Sequence, residues 1–178
     1  ARFALDEGAD WINDIWGLRF EPQMAEVISR HNAGIILMHN GRILGDKVET
    51  VPEEKKPDTV QWVKEGLEQS LKIARQSGIK NESIILDVGI GFGKTVEQNL
   101  ELINRLDKFK EMGFPILVGP SRKSFIGAIL DLPPDQRLEG TAAAVAIAIA
   151  RGADVIRVHD VRAMVRVAKM CDALLTRS

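Results

Sequence analysis

The strongest constraint on this chain is a rhythm. Five short apolar runs, residues 11–15, 34–38, 83–87, 115–119 and 154–159, recur between longer stretches of helical period. That alternation restricts the fold to repeated β-α units feeding a parallel sheet. Each run is nearly continuous in hydrophobicity, as a strand must be when helices or barrel packing cover both its faces. Val60, Val63, Leu67, Leu71 and Ala74 recur at helical intervals, as do Ile103, Leu106, Phe109 and Met112, and both sets predict helices that dock on the sheet. Thr95 followed three residues later by Gln98 is a capping-box pattern, so a helix is expected to start just after a glycine-rich run. The first ten residues read as a helix finishing at Gly8, and residues 142–151 as one finishing at Gly152.

Two polar, proline-bearing segments interrupt the rhythm: residues 40–59, with Pro52 and Pro57, and residues 130–139, with Pro133 and Pro134. Both follow the carboxyl end of a strand, and loops of such length are expected to be functional lids or disordered. At 178 residues and 45% apolar composition, one domain spanning residues 1–178 is the expectation. Lys and Arg number 24 against 25 Asp and Glu, a net charge of −1, which supplies no broad basic field for nucleic acid or an anionic membrane. Cys171 is the single cysteine, so no disulfide framework exists and a reducing cytoplasm is expected. No apolar run reaches the roughly 18 residues a membrane span needs, and no targeting leader is visible; a soluble protein is expected.

Polar groups then gather where the strands end. They are Asn13 and Asp14; Met38, His39 and Asn40; Asp87 with Gly89, Gly91 and Gly93; Ser121, Arg122 and Lys123; and Arg157, His159 and Asp160. In parallel α/β folds the ligand lies outside the carboxyl ends of the strands, fed by several βα loops. Each group has a plainer reading. Asp14 can cap the following turn. His39, with nothing at metal-ligand spacing, reads as a satisfied structural histidine. Arg122 and Lys123 can be a solvated loop end, and Arg157 with His159 can pair with Asp154 or Asp160. Their convergence on one rim favours a site. The run Gly89-Ile90-Gly91-Phe92-Gly93-Lys94-Thr95 fits neither a P-loop, which needs a glycine where Val88 stands, nor the dinucleotide fingerprint, which needs one at Lys94. Its glycines are expected to let the backbone approach a flat ligand.

Ile12-Asn13-Asp14-Ile15, Leu37-Met38-His39, the Asp87 to Lys94 run, Ser121-Arg122-Lys123-Ser124-Phe125-Ile126-Gly127 and Arg157-Val158-His159-Asp160-Val161 resemble, in order, the motifs of the dihydropteroate synthases. The pterin-binding domain of corrinoid methyltransferases is similar in its barrel and its Asn and Asp positions but lacks the last two motifs, and stands second; a non-catalytic pterin-binding module is a further alternative. The resemblance implies a (β/α)8 TIM barrel, of which this chain carries about five βα units with the N-terminal strands absent. It implies condensation of hydroxymethyl-dihydropterin pyrophosphate with p-aminobenzoate in folate biosynthesis, in a cytoplasmic homodimer joined through residues 142–151 and 162–175. Asn13, Ile15, Asp87, Lys123 and Arg157 would bind the pterin, and Phe92, Arg122 and Ser124 would flank p-aminobenzoate. Arg157 and His159 would hold the pyrophosphate, and Asp87, Lys123, Arg157 and His159 would carry catalysis. The implied cofactor is magnesium, whose family ligand lies in the absent N-terminal loop, so no metal ligand is expected here. Val88, Pro120 and Trp16 depart from the family pattern and are expected to shift loops. Since a full barrel needs about 250 residues, the expectation is a truncated piece, weak or inactive alone, with open sheet edges.

Overall fold

The computed structural model describes residues 1–42 and 58–176. Most of the first expected lid, residues 43–57 with Pro52 and Pro57, therefore lies outside the described residues. Among those described, five strands form one parallel sheet: β1 (Trp11–Asp14), β2 (Gly34–Met38), β3 (Ile84–Asp87), β4 (Ile116–Val118) and β5 (Val155–Ile156), in the order β1-β2-β3-β4-β5. The helices are α1 (Arg2–Asp6), α2 (Met24–Arg30), α3 (Thr59–Gln76), α4 (Val96–Asn104), α5 (Ser124–Leu130), α6 (Leu138–Ala150) and α7 (Val161–Leu175). Each parallel step must cross back over the sheet, and unbroken sequential order means every crossover steps the same way. The result is the singly wound arc of a β/α barrel rather than a doubly wound sheet.

Register decides what each face carries. Ile35 pairs with Ile84 and Leu37 with Leu86, and these four, with Ile116, are at most 1% exposed beneath the helices. On α3, Val63, Leu67, Leu71 and Ala74 are fully buried, each larger side chain contributing about 1.5–3 kcal/mol. Asp58 caps that helix by accepting from Gln61 N–H at 3.1 Å. The capping box at α4 is complete: Gln98 N–H donates to Thr95 Oγ1 at 3.2 Å and Thr95 N–H to Gln98 Oε1 at 2.9 Å.

Three expectations need correction. The apolar runs are longer than the paired strands everywhere except β2. Pro115 has no N–H for the ladder, and in the last run only Val155 and Ile156 pair. The face Ile103–Leu106–Phe109–Met112 is not one helix: α4 ends at Asn104 and residues Leu106–Met112 form a 3-10 helix. A strict interval of three is the 3-10 period, so the pattern itself carried the break; Leu106 and Phe109 are still fully buried. The expected loop at residues 130–139 is mostly built. Asp131 turns the chain at φ +55°, Pro134–Gln136 make a 3-10 turn, and α6 begins at Leu138, four residues earlier than read. Arg137 ties the connection down by donating to Leu132 O at 2.9 Å and Arg122 O at 3.1 Å.

Candidate active site

Side chains alternate along a strand, and residues paired across a parallel ladder share a face. Asn13 pairs with Ile36, two residues before Met38; Met38 pairs with Asp87, Asp87 with Leu117, and Leu117 with Val155. Asn13, Met38, Asp87 and Leu117 therefore share the concave face. Arg157, two residues past Val155 and still donating its N–H to Val118 O at 3.1 Å, continues the same row. Asn13, Asp87 and Arg157 thus stand on one side of the sheet at its carboxyl rim.

Asp14 faces the opposite way, 8% exposed, and accepts Trp16 N–H at 3.0 Å and Leu18 N–H at 2.6 Å. The capping reading holds for it. The turn it builds leaves Asn13 and Ile15 exposed to the rim side.

Asp87 is 6% exposed. Its Oδ1 accepts Gly89 N–H at 2.8 Å. Burial pushes its carboxyl up to about 6, opposed by that N–H and by the positive charges of Lys94, Lys123 and Arg157. Lys123, at the start of α5, is half-buried and shifted downward by burial, with Asp87 pulling the other way. Its Nζ lies 4.2 Å from the centroid of the Phe92 ring, joining the β3 and β4 loops by a cation–π contact.

The glycine run works differently from the expectation. Gly89 has φ +70°, and a Cβ there would stand 1.8 Å from His39 O; at Gly93 it would stand 2.5 Å from Gly41 C. Neighbouring backbone, rather than a ligand, occupies the space the missing side chains leave. The two loops are also zipped together, His39 N–H donating to Asp87 O at 2.9 Å and Gly41 N–H to Phe92 O at 3.1 Å.

On the far side of the rim, Ser121 Oγ accepts His159 N–H at 3.2 Å and lies 2.9 Å from His159 Nδ1. With the hydroxyl donating to Nδ1, the neutral ring carries its proton on Nε2. Arg122, in the left-handed region at φ +56°, gives a two-pronged fork to Asp160 at 2.9 and 2.7 Å, which holds Asp160 below the usual carboxylate range. Arg122 is thereby turned to Asp160, while Ser124 is exposed as the first residue of α5. Neither Arg157 nor His159 takes Asp154, whose carboxylate accepts Ile116 N–H at 2.8 Å.

His39 is structural, 2% exposed and edge-on to Trp62 at 4.7 Å between centroids. Burial and the charges of Lys94 and Arg19 keep it neutral. It is less than fully satisfied, because Nδ1 has no hydrogen-bond partner among the described residues. Two residues escaped the sequence reading. Lys94 donates to three carbonyls, Gly89 O at 2.9 Å, Phe92 O at 3.2 Å and His39 O at 3.3 Å. Asn99, 2% exposed on α4, accepts Gly91 N–H at 2.7 Å and donates to Thr95 O at 2.6 Å. The available signals were a lone cation in a glycine run and a polar residue on a buried helix face.

Among the described residues no three His, Cys, Asp or Glu side chains converge as metal ligands, and no helix is long and apolar enough to cross a membrane.

A parallel β/α arc with a buried carboxylate and several cations at its carboxyl rim belongs to the class of β/α-barrel proteins, whose ligands lie at the carboxyl ends of the strands. The family model described as "pterin binding enzyme" matches residues 1–159, and the chain belongs to that family. Its relatives within the family include dihydropteroate synthases. It is 45% identical over 174 residues to the dihydropteroate synthase of Bacillus subtilis, covering 98% of this chain and 58% of that one. To the Synechocystis enzyme it is 49% identical over 175 residues, covering 98% and 60%. The chain thus spans about three fifths of the length of these curated relatives. Among solved structures, Clostridium difficile dihydropteroate synthase in the presence of pteroic acid superposes with a TM-score of 0.87 at 41% identity, over 97% of this chain and 62% of that one. Yersinia pestis dihydropteroate synthase in a sulfonamide drug complex superposes at 0.91 with 31% identity, over 99% and 63%. The five βα units are accordingly part of a (β/α)8 barrel.

Proposed function

We propose that this chain carries the pterin side of a dihydropteroate synthase site, joining hydroxymethyl-dihydropterin pyrophosphate to p-aminobenzoate. The observation that carries the reading is Asp87: a buried carboxylate on the concave face, holding one backbone N–H and ringed by Lys94, Lys123 and Arg157. A flat heterocycle with two adjacent ring donors satisfies its remaining acceptor capacity. Asn13 and Lys123 meet the ring's other polar edges, Ile15 lines the pocket, and Arg157 covers a ring face.

The bond that breaks joins the pterin's methylene carbon to a pyrophosphate oxygen, whose electrons leave with the anion. The bond that forms joins that carbon to the arylamine nitrogen, which then loses a proton. Asp87 stabilises the positive carbon, while Arg157 and the Nε2 proton of His159 stabilise the departing anion. Phe92, Ser124 and Arg122 flank the arylamine, so that it attacks a carbon already positioned. Magnesium would supply charge neutralisation for the pyrophosphate; among the described residues no three His, Cys, Asp or Glu side chains converge to hold it. A cytoplasmic homodimer through α6 and α7 fits the exposed Ile147 (50%), Val165 (47%), Met170 (59%) and Leu174 (64%) on those helices.

The test is calorimetric titration with the dihydropterin pyrophosphate and magnesium, for the wild-type chain and Asp87→Asn. Loss of a charge-assisted hydrogen bond worth about 1.5–3 kcal/mol weakens binding roughly 10- to 150-fold. Equal affinity in both proteins contradicts the reading. Sulfonamide binding then separates an arylamine-using enzyme from a corrinoid-methyltransferase domain.

A further inference from the structure

Lys94 is half-buried, with three carbonyl oxygens within hydrogen-bond distance of its ammonium. Two of these, Gly89 O and Phe92 O, belong to the loop after β3; the third, His39 O, belongs to the loop after β2. The indole of Trp62 closes over the ammonium at 5.6 Å, and the same indole packs on His39 and lies where a Cβ at Gly41 would meet it at 2.5 Å. One residue, Gly89, links the ammonium to the carboxylate of Asp87. The N–H of Gly89 donates to Asp87 Oδ1 at 2.8 Å, and its C=O accepts from Lys94 at 2.9 Å.

Three carbonyl oxygens turned toward a common point beside a buried carboxylate raise the negative potential there, and in a low-dielectric interior such a cluster needs a cation. The neighbouring positive groups divide that work. Lys123 and Arg157 approach Asp87 from the β4 and β5 loops, where a ligand enters, while Arg19 and the neutral His39 lie near Lys94. Lys94 alone among these is fixed behind the carboxylate by three hydrogen bonds.

We propose that Lys94 is a positioning residue of the pterin site, bolting the β2 and β3 loops together and serving as a counter-charge of Asp87. The proposal rests on the pterin-binding reading for its functional consequence but not for the charge coupling itself. Burial lowers the Lys94 ammonium to about 7, and Asp87 is the influence that opposes the fall.

The experiment follows Asp87 directly. The full chain is prepared with carbonyl-labelled aspartate, Asp87 is assigned with Asp87→Asn, and its titration is followed by NMR in wild type, Lys94→Gln and Lys94→Arg. The Asp87 midpoint rises by about one pH unit or more in Lys94→Gln and stays near the wild-type value in Lys94→Arg. In parallel, affinity for the dihydropterin pyrophosphate at pH 7 falls in Lys94→Gln, about twofold for a one-unit rise and about tenfold for a two-unit rise, recovering at higher pH, and is retained in Lys94→Arg. A folded Lys94→Gln with an unmoved Asp87 midpoint overturns the proposal. If that variant does not fold, the Lys94 ammonium is observed in the wild type. A slowly exchanging signal supports the proposal, and one exchanging like a surface lysine overturns it. A wild type that binds no pterin, yet shows the midpoint shift on substitution, overturns the proposed function and leaves the coupling standing.

Discussion

The ammonium of Lys123 sits 4.2 Å from the centre of the Phe92 ring, so the cation after β4 is steered by an aromatic residue from the loop after β3. A Cβ at Gly91 would stand 3.0 Å from Lys123 Cδ, which fixes the lysine stem from behind. A cation–π contact of this kind is worth about 0.5–2 kcal/mol. Phe92→Leu is therefore expected to weaken pterin binding several-fold with little loss of stability, and Phe92→Tyr to preserve it. Fluorimetric titration with the pterin checks both. Equal affinities for all three proteins refute the steering role.

The pH dependence follows from Asp87. Its folded value of about 6 lies above the ordinary 3.8. Between those limits the folded protein binds more protons than the unfolded chain, so its contribution to stability falls as pH rises from about 4 to about 6. The cost at neutral pH is on the order of 3 kcal/mol. With the ionised carboxylate as the acceptor proposed above, binding is expected to run the other way, pterin affinity dropping about tenfold per pH unit below about 6. Titrations at pH 5, 6 and 7 with parallel urea melts read both slopes. A flat binding profile between pH 5 and 7 removes Asp87 from the contact.

Two left-handed glycines make a controlled comparison. At Gly113, φ +78°, an added Cβ meets nothing within 4 Å, whereas at Gly89, φ +70°, it meets His39 O at 1.8 Å. Gly113→Ala is expected to cost only the backbone strain, about 1 kcal/mol. Gly89→Ala must also part the β2 and β3 loops, and abolishes pterin binding. Circular dichroism melts and pterin titration distinguish the two. Retained binding in Gly89→Ala shows that the loops yield.

Those glycines also show where sequence reasoning stops. The spacing of the run from Gly89 to Gly93 announced close approach, but the atom nearest Gly89, His39 O, comes from the loop after β2 some fifty positions earlier, and no local pattern names it. The five strands and the caps at Thr95 and Gln98 were legible because period and capping are local. So was the row Asn13, Asp87 and Arg157, since strand ends in a parallel fold share a rim. The site's wiring was not. Asp160 lay within reach of Arg157, His159 and Arg122 alike, and only the fold gives it to Arg122. Lys94 looked like a fragment of a phosphate loop and instead serves three carbonyls.

The Arg122–Asp160 fork yields the last test. Its side chains are 33% and 24% exposed, so solvent screens the pair and Asp160→Asn is expected to change stability by less than about 1 kcal/mol. The geometric consequence is larger. Two parallel hydrogen bonds set the plane of the guanidinium, and Arg122 also donates its backbone N–H to Thr141 Oγ1 at 3.0 Å, which anchors the loop but not the fork. Freed of Asp160, the guanidinium samples the rim on the side assigned to p-aminobenzoate. Sulfonamide or p-aminobenzoate affinity, measured in the presence of a bound pterin and pyrophosphate, is expected to fall several-fold in Asp160→Asn, with pterin affinity unchanged. A parallel fall in pterin affinity would instead move Asp160 and Arg122 to the pyrophosphate side, beside His159.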